Sequence, residues 1–184
     1  MVTWSVMDHG IEYPSARDQR GFTLIEVMIV VVILGILAAI VVPGWFRASA
    51  KAKATTEVTG MFAEISVKEE QYKIENHIYL AAATCPSTPT SAGVDFATSC
   101  LTGATAWDNL RIQPPEKTLA CTYSITVGAA GTPPAPPAGF TMVSPVNGWW
   151  WAVAECDADG NGGTNSKFFQ SSVDTKKQVT NEGS

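Results

Sequence analysis

Residues 21–46 read GFTLIEVMIVVVILGILAAIVVPGWF. The sixteen residues from Val27 to Val42 carry no charged or strongly polar side chain, and Glu26 is the only charged residue between Phe22 and Phe46. At about 1.5 Å rise per residue, a helix of this length spans the ~30 Å hydrocarbon layer and satisfies its own backbone hydrogen bonds there. The sequence therefore predicts a membrane-spanning helix over 22–46.

An alternative interpretation of this run is the core of a secretory signal peptide, which is about 7 to 15 apolar residues long and precedes a cleavage site of small residues. The run is longer than that, which favours a retained anchor, although cleavage near Leu37-Ala38-Ala39 remains open. Residues 1–20 carry three acidic side chains against two arginines and show no apolar period. We expect them to be a dispensable leader, and Met7 is a second candidate start.

Composition argues against most enzymes and against nucleic-acid binding. The chain has 184 residues, of which 46% are hydrophobic and 16% charged, with a formal net charge of -5. The Lys and Arg residues are scattered, so no specific nucleic-acid surface is predicted. His9 and His77 lie far apart and away from the cysteines, which leaves little material for a zinc site or a histidine-based catalytic centre. No GxSxG, HExxH, P-loop or haem-attachment motif occurs, and we expect no catalytic residue.

The residues Gly21-Phe22-Thr23-Leu24-Ile25-Glu26 resemble the processing motif of type IV prepilins and of the pseudopilins of type II secretion. The match covers about residues 20–54 and includes Gly35, the Ala38-Ala39 pair and Pro43. The resemblance implies that prepilin peptidase cuts between Gly21 and Phe22 on the cytoplasmic side and methylates the new amino group of Phe22. Residues 1–21 would then be a cleaved leader, less basic than is usual in the family.

Glu26 is the one carboxylate of the apolar segment. An unpaired acid there is disfavoured by about 2.5 to 3.5 kcal/mol on insertion scales. Cleavage would create an ammonium group at Phe22, one helical turn away on the same chain or at the same depth on an adjacent copy. We expect Glu26 and Phe22 to set the register between subunits. The alternative is an interfacial glutamate that only reaches the lipid headgroups.

The resemblance implies a structural subunit of a type IV pilus that polymerises with identical subunits into an extracellular filament for motility, adhesion or DNA uptake. Its expected partners are prepilin peptidase, the inner-membrane assembly machinery, the outer-membrane secretin and the membrane itself. Before assembly the chain would be a single-pass protein of the inner membrane, with its N-terminus cytoplasmic and its C-terminal domain periplasmic. The alternatives are a pseudopilin of a type II secretion system and a membrane-tethered binding or hydrolytic domain. The mature length of 163 residues and the two expected disulfides favour a pilin.

The flanking charges do not decide the orientation of the anchor, because basic residues lie on both sides of it. All four cysteines follow the anchor and none forms a CxxC pair, which is typical of disulfides in an oxidising compartment. Four cysteines allow three pairings. We select Cys85 with Cys100 and Cys121 with Cys156, and the other two pairings remain open, as do four unlinked thiols.

Beyond the anchor the helical period continues and becomes amphipathic. Val58, Met61, Phe62, Ile65 and Tyr72 recur at spacings of three, four and seven, and most charged residues are assigned to the other faces, namely Lys53, Glu57, Glu64, Lys68, Glu70 and Glu75. We predict one helix from about Phe22 to Asn76 with a kink at Pro43-Gly44. Gly35 and Gly60 weaken the helix, and in the family the part that corresponds to Gly35–Gly44 can lose helicity in the fibre.

The remaining residues, 78–184, predict a globular domain, and the amphipathic segment 47–77 is expected to pack on it. Residues 81–115 are rich in Ala, Ser, Thr and Pro and predict a surface loop region. Strand-like runs follow at Leu119–Val127, Phe140–Val143, Trp149–Cys156 and Lys167–Val173, joined by turn residues. The Pro-rich residues 131–139 predict an exposed loop. The predicted fold class is α+β, a long N-terminal helix on a four-stranded antiparallel sheet, as in pilins.

Two local patterns leave alternatives open. In a strand, Trp149 and Trp151 point to one face and Trp150 to the other, so at least one ring needs cover beyond the helix, by a loop or by a neighbouring subunit, or else serves adhesion. Asp157, Asp159 and Asn161 with Gly162 resemble the start of a calcium loop, but the twelfth position is Phe168 and not Glu. An ordinary turn is the favoured interpretation, and calcium binding through these three side chains, which the resemblance to pseudopilins implies, is the alternative. No other cofactor is expected.

Overall fold

The computed structural model describes residues 21–131, 136–143, 145–158, 160 and 162–181, and only the backbone of Pro43, Phe46 and Arg47. The chain divides into two compact units, one that ends at Val41 and one that begins at Val42. Each unit is described by itself below. The predicted leader and most of the Pro-rich segment lie outside the described residues.

Helix α1, Leu24–Asn76, is the longest element of the chain. Its bounds lie within two residues of those predicted, and the backbone at Gly35, Pro43 and Gly44 is helical, so the kink stays a prediction. In the second unit, α1 buries a stripe with the helical period, formed by Ala54, Val58, Met61, Phe62 and Ile65. The amphipathic pattern thus identified the face that packs on the domain.

The second unit is built on a five-stranded antiparallel sheet in the order β1-β4-β5-β6-β7. Its strands are β1 (Ala82–Cys85), β4 (Cys121–Gly128), β5 (Trp149–Cys156), β6 (Ser166–Ser171) and β7 (Gln178–Thr180). A separate pair joins β2 (Val94–Asp95) to β3 (Thr118–Leu119), and two short helices, α2 (Phe96–Cys100) and α3 (Ala106–Asn109), complete the described elements. The predicted α+β architecture is confirmed, and the main sheet has five strands where four were predicted.

One face of the sheet packs against α1. Phe62 meets Tyr123 of β4 edge to face, with 6.4 Å between the ring centroids, and Trp150 of β5 belongs to the same buried cluster. Rings in this geometry attract each other beyond the area they bury. The middle of α1 therefore packs on β4 and shares its buried cluster with β5, the central strand of the sheet.

The opposite face of the sheet has its own aromatic cluster. Trp149 and Trp151 stack at 4.6 Å, and Phe140 stacks on Phe169 at 5.2 Å. These four side chains are buried, and so is Trp150 on the other face. The alternation predicted for Trp149–Trp151 is confirmed, and a loop of the same chain provides the cover. Adhesion through exposed tryptophan rings is not supported, because none of the three rings is exposed.

The strand predicted at Phe140–Val143 is wrong. Phe140 is buried in the aromatic cluster, but residues 140–143 form no strand. Thr141 is instead bound by a side chain: its N–H donates to Gln178 Oε1 at 3.0 Å, and its carbonyl accepts from Gln178 Nε2 at 2.7 Å. The real edge strands, β1 and β7, are four and three residues long, too short to show a period of two.

The prediction that residues 81–115 form a surface loop is also wrong in part. This region contains β1, β2, α2 and α3, and it contributes Phe96, Trp107, Leu110 and Ile112 to the core. Each of its two helices begins at a side-chain cap. Asp95 accepts from Ala97 and Thr98, and Thr105 forms a capping box with Asp108. Caps of this kind permit helices of only four or five residues once packing supports them.

Candidate functional site: the start of the apolar helix

The start of α1 is set by a reciprocal pair of side-chain bonds. Gly21, Phe22 and Thr23 are not helical, and the first helical residue is Leu24. The Glu26 N–H donates to Thr23 Oγ1 at 3.3 Å, and the Thr23 N–H donates to Glu26 Oε2 at 3.3 Å. Thr-x-x-Glu is a capping box, which satisfies two backbone donors that a helix end otherwise leaves unpaired. The Thr23-x-x-Glu26 pattern is visible in the sequence and predicts this helix start.

The bond expected to be cut therefore lies just outside the helix. Phe22 is 86% exposed and Gly21 is exposed as well. The carbonyl of Thr23 is the acceptor for the amides of Glu26 and Val27, so the first helical hydrogen bonds begin after the Gly21–Phe22 bond. Glu26, which we expect to need a partner, has one on its own chain in the side chain and backbone of Thr23.

The helix that follows is not covered by the other residues of its unit that the structure describes. Residues Leu24–Val42 have a mean hydropathy of 3.2, and none of this span is buried. By length and composition it is long and apolar enough to cross a membrane. A surface of this kind needs lipid or another protein around it, because water is an unfavourable neighbour for so much apolar area.

The comparison with protein families supports a role for these residues. Residues 16–42 match the family described as "Prokaryotic N-terminal methylation motif". The chain is 49% identical over 63 residues to the type II secretion system core protein G of Pseudomonas aeruginosa, and 39% identical over 80 residues to a fimbrial protein of Neisseria meningitidis. The resemblance to type IV prepilins and pseudopilins is confirmed.

The prepilin-like part is a limited part of the chain. The Pseudomonas match covers 34% of this chain and 44% of the relative, and the Neisseria match covers 44% of this chain and 43% of the relative. A core protein G of Vibrio cholerae is 48% identical over 63 residues, with 34% and 42% covered. The chain thus spans less than half the length of these relatives. No solved structure matches it.

Outside the prepilin-like segment, the four cysteines form two disulfides, as the sequence predicts. Cys85 is bonded to Cys100, and Cys121 to Cys156, which are the pairs that we selected. Cys121 and Cys156 lie directly opposite each other on β4 and β5. The first bridge ties β1 to the end of α2, so each disulfide joins two elements that meet at the domain core.

The candidate calcium loop is described only in part, because Asp159 and Asn161 lie outside the described residues. Asp157 Oδ1 accepts from the Gly160 N–H at 2.9 Å, and Asp157 Oδ2 accepts from the Gly162 N–H at 3.3 Å. Both oxygens therefore serve a turn. Phe168, at the position of the bidentate ligand of an EF-hand, is buried in β6. The oxygen ligands that the described residues could offer do not match those of an EF-hand, and calcium binding stays a prediction.

The sequence pattern assigned Glu57 to a face of α1 away from the core, but the structure buries it. It is only 8% exposed, and its carboxylate accepts three hydrogen bonds. The donors are the Ala120 N–H at 2.9 Å, the Cys121 N–H at 3.0 Å and the Tyr123 hydroxyl at 2.8 Å. Burial and the Glu57 carboxylate together raise the pKa of Tyr123, which keeps it a hydrogen-bond donor. Glu57 thereby joins α1 to the beginning of β4.

Glu69 is a second buried carboxyl on α1 that the sequence analysis did not single out. It is 0% exposed, and its Oε2 accepts from the Leu80 N–H at 3.0 Å. Its Oε1 has no hydrogen-bond partner among the described residues. Burial raises the pKa of Glu69 to about 7; the Leu80 bond opposes this and the neighbouring charge of Glu70 adds to it. A carboxyl group with this pKa changes its charge near neutral pH.

Proposed function

We propose that the chain is a structural subunit of a type IV pilus, cut by prepilin peptidase between Gly21 and Phe22 and polymerised with copies of itself through the apolar part of α1. The observation that carries the proposal is the Gly21–Glu26 motif at the head of a span, Leu24–Val42, that is wholly uncovered. Lipid covers this span during storage in the inner membrane, and other copies of it do so in the filament. No catalytic role is proposed.

The capped helix start supports the expected processing. A peptidase needs an accessible bond that is not locked into helical hydrogen bonds, and the Gly21–Phe22 bond satisfies both conditions. Cleavage creates an ammonium group at Phe22, and Glu26 exchanges its bond to Thr23 for that group or for the ammonium of an adjacent copy. Such pairing removes the penalty of an unpaired carboxylate in an apolar environment.

The second candidate is a pseudopilin of a type II secretion system. It is favoured by the names of several relatives, which are core protein G of that system. Both candidates place the C-terminal unit in the periplasm before assembly, where its two disulfides are stable. They differ in the filament they build, and hence in whether its loss removes surface fibres or protein secretion. Inner-membrane assembly proteins and an outer-membrane secretin are proposed partners in either case.

The proposal is tested on fibres sheared from cells that make the protein. N-terminal sequencing of the subunit is expected to begin at a methylated Phe22, and an intact Met1 would refute the processing step. An abundant fibre band favours a pilin. Loss of protein secretion on deletion, without loss of surface fibres, favours a pseudopilin.

Glu26→Ala tests the role of the carboxylate. The variant is expected to insert into the membrane but to give few or no fibres, because the subunit register is lost. Glu75→Ala, which removes an exposed glutamate from the other end of α1, is the matched control and should assemble normally. Normal fibres from Glu26→Ala would refute the register role.

A further inference from the structure

The connection that leaves α1 is bound back onto the helix by side chains. The helix ends at Asn76, and His77, with φ 65°, turns the chain in the left-handed region. The Tyr79 hydroxyl then donates to Glu70 Oε1 at 2.7 Å, and the Leu80 N–H donates to Glu69 Oε2 at 3.0 Å. Strand β1 begins two residues later. These bonds hold the entry into the sheet against the last turns of α1.

The two bonds differ in their environment. Glu70 is exposed, and its partner Tyr79 also accepts from Lys73 Nζ at 2.9 Å, so this pair lies in a solvated network. Glu69 is fully buried, and its second oxygen has no partner among the described residues. Burial in this environment costs less free energy for a neutral carboxylic acid than for a carboxylate, because the unpaired oxygen of the anion would lose its hydration.

The neighbouring ionisable groups do not compensate a charge on Glu69. Glu70 is of the same sign, and Lys73 is directed at the Tyr79 hydroxyl. Strands β1 and β4 contain no charged side chain. Other charged groups of α1 and of the elements near it have contacts of their own: Asp108 in the capping box of α3, Glu57 at the start of β4, Lys68 with Glu64 at 3.9 Å, and Glu75 and Arg111 in the lining of a shallow cleft.

We propose that the protonation state of Glu69 controls whether Tyr79 and Leu80 stay bound to α1. The contacts of Tyr79 with Glu70 and of Leu80 with Glu69 are called the clamp below. In acid the neutral side chain accepts the Leu80 N–H and the connection stays docked. Above neutral pH the proton passes to solvent, the carboxylate requires partners for both oxygens, and water reaches it only if the connection lifts. The surface at the end of α1, which includes the exposed Ile74 and Ile78, thereby changes with the pH of its surroundings. The clamp belongs to the second unit and stands whether or not the chain forms filaments.

Amide hydrogen exchange of the full chain in detergent micelles tests the clamp. The quantity compared is the protection factor of the Leu80 amide, which already corrects for the chemical pH dependence of exchange. In the wild type we expect it to fall at least about tenfold between about pH 5 and about pH 8.5, since local opening controls exchange. In Glu69→Gln, which cannot ionise, we expect no fall. An unchanged factor in the wild type, or an equal fall in Glu69→Gln, would overturn the proposal.

The matched control is Glu64→Gln. Glu64 also lies on α1 and also accepts a backbone amide, that of Gln113 at 2.9 Å, but it is partly exposed. This variant should keep the wild-type fall at Leu80. Infrared spectroscopy of the wild type gives a second measurement that does not depend on how the variants fold. A protonated carboxyl band should persist at about pH 6, where exposed glutamates are ionised, and its absence there would also overturn the proposal.

Discussion

Glu57→Ala is expected to be among the most destabilising single changes in the second unit. The substitution removes the acceptor of three hydrogen bonds at the start of β4. It leaves the Cys121 N–H and the Tyr123 hydroxyl without an acceptor in a buried region, and both donor residues are 0% exposed. The loss of stability should come mainly from these buried donors that lack an acceptor, and less from the small loss of apolar contact.

The magnitude follows from the number and burial of those donors. A buried donor left without a partner costs about 1–3 kcal/mol, and bonds to a charged acceptor lie at the upper end of the range. The Ala120 amide is half-buried, and water can satisfy it. Two fully buried donors and one partly buried donor therefore predict a loss of about 3–5 kcal/mol in the free energy of unfolding, a large share of the stability of an ordinary domain.

The assay is urea unfolding of the unit that begins at Val42, with both disulfides intact. Tyr123→Phe removes one of the three bonds and should cost about 1–2 kcal/mol. Glu64→Ala removes a partly exposed acceptor of one backbone bond and should cost below about 1 kcal/mol. A loss for Glu57→Ala no larger than that for Glu64→Ala would refute the reasoning, because it would show that water replaces the carboxylate.

Three further predictions concern pH, packing and metal. The pKa of Glu69 in the folded state, about 7, exceeds its ordinary value of 4.5, so the native state binds more protons than the unfolded state between these pH values. The free energy of unfolding should therefore fall by about 3 kcal/mol as the pH rises from about 4.5 to 7, and then level off. Glu69→Gln should remove this slope in urea titrations at several pH values. A Cβ at Gly128 would overlap the ring of Trp149, so Gly128→Ala should lower the melting temperature by an amount equivalent to about 1–3 kcal/mol, whereas Gly148→Ala, where the nearest atom is 3.5 Å away, should have little effect. If the loop at Asp157 binds calcium, a chelator should lower the melting temperature, and an unchanged melting temperature would reject calcium binding.

The apolar period predicted the parts of the fold that bury long, regular surfaces. It located α1 within two residues at each end, and the runs around β4, β5 and β6, because each of these elements repeats its buried positions several times. It missed β1 and β7, which are strands only because β4 and β6 offer them a partner. The false strand at Phe140–Val143 has a related cause: Phe140 is buried by stacking on the Phe169 ring, and no neighbouring strand pairs with this segment.

The prepilin-like motif at residues 21–26 could be identified from the sequence because its residues are adjacent in the chain. Gly21, Phe22 and Glu26 were singled out by their resemblance to the prepilin motif, and the capping box that Thr23 makes with Glu26 is equally local. Glu57 and Glu69 were not predicted as buried, because their partners are 63 and 11 residues away in the sequence. A carboxylate without a visible partner is normally assigned to solvent.

The helical period nevertheless places both carboxylates on the buried stripe of α1. Glu69 lies four residues after Ile65, and Glu57 lies four residues before Met61; both of these apolar residues are fully buried. Backbone carbonyls inside a helix are used by the helix itself, so α1 cannot offer them to an incoming strand. A glutamate on the buried stripe can accept from a backbone N–H that no ladder serves, and both Glu57 and Glu69 do so at the approach to a strand, β4 and β1 respectively. A glutamate at a predicted core position of a helix is therefore better interpreted as a docking point for a strand than as an error in the period.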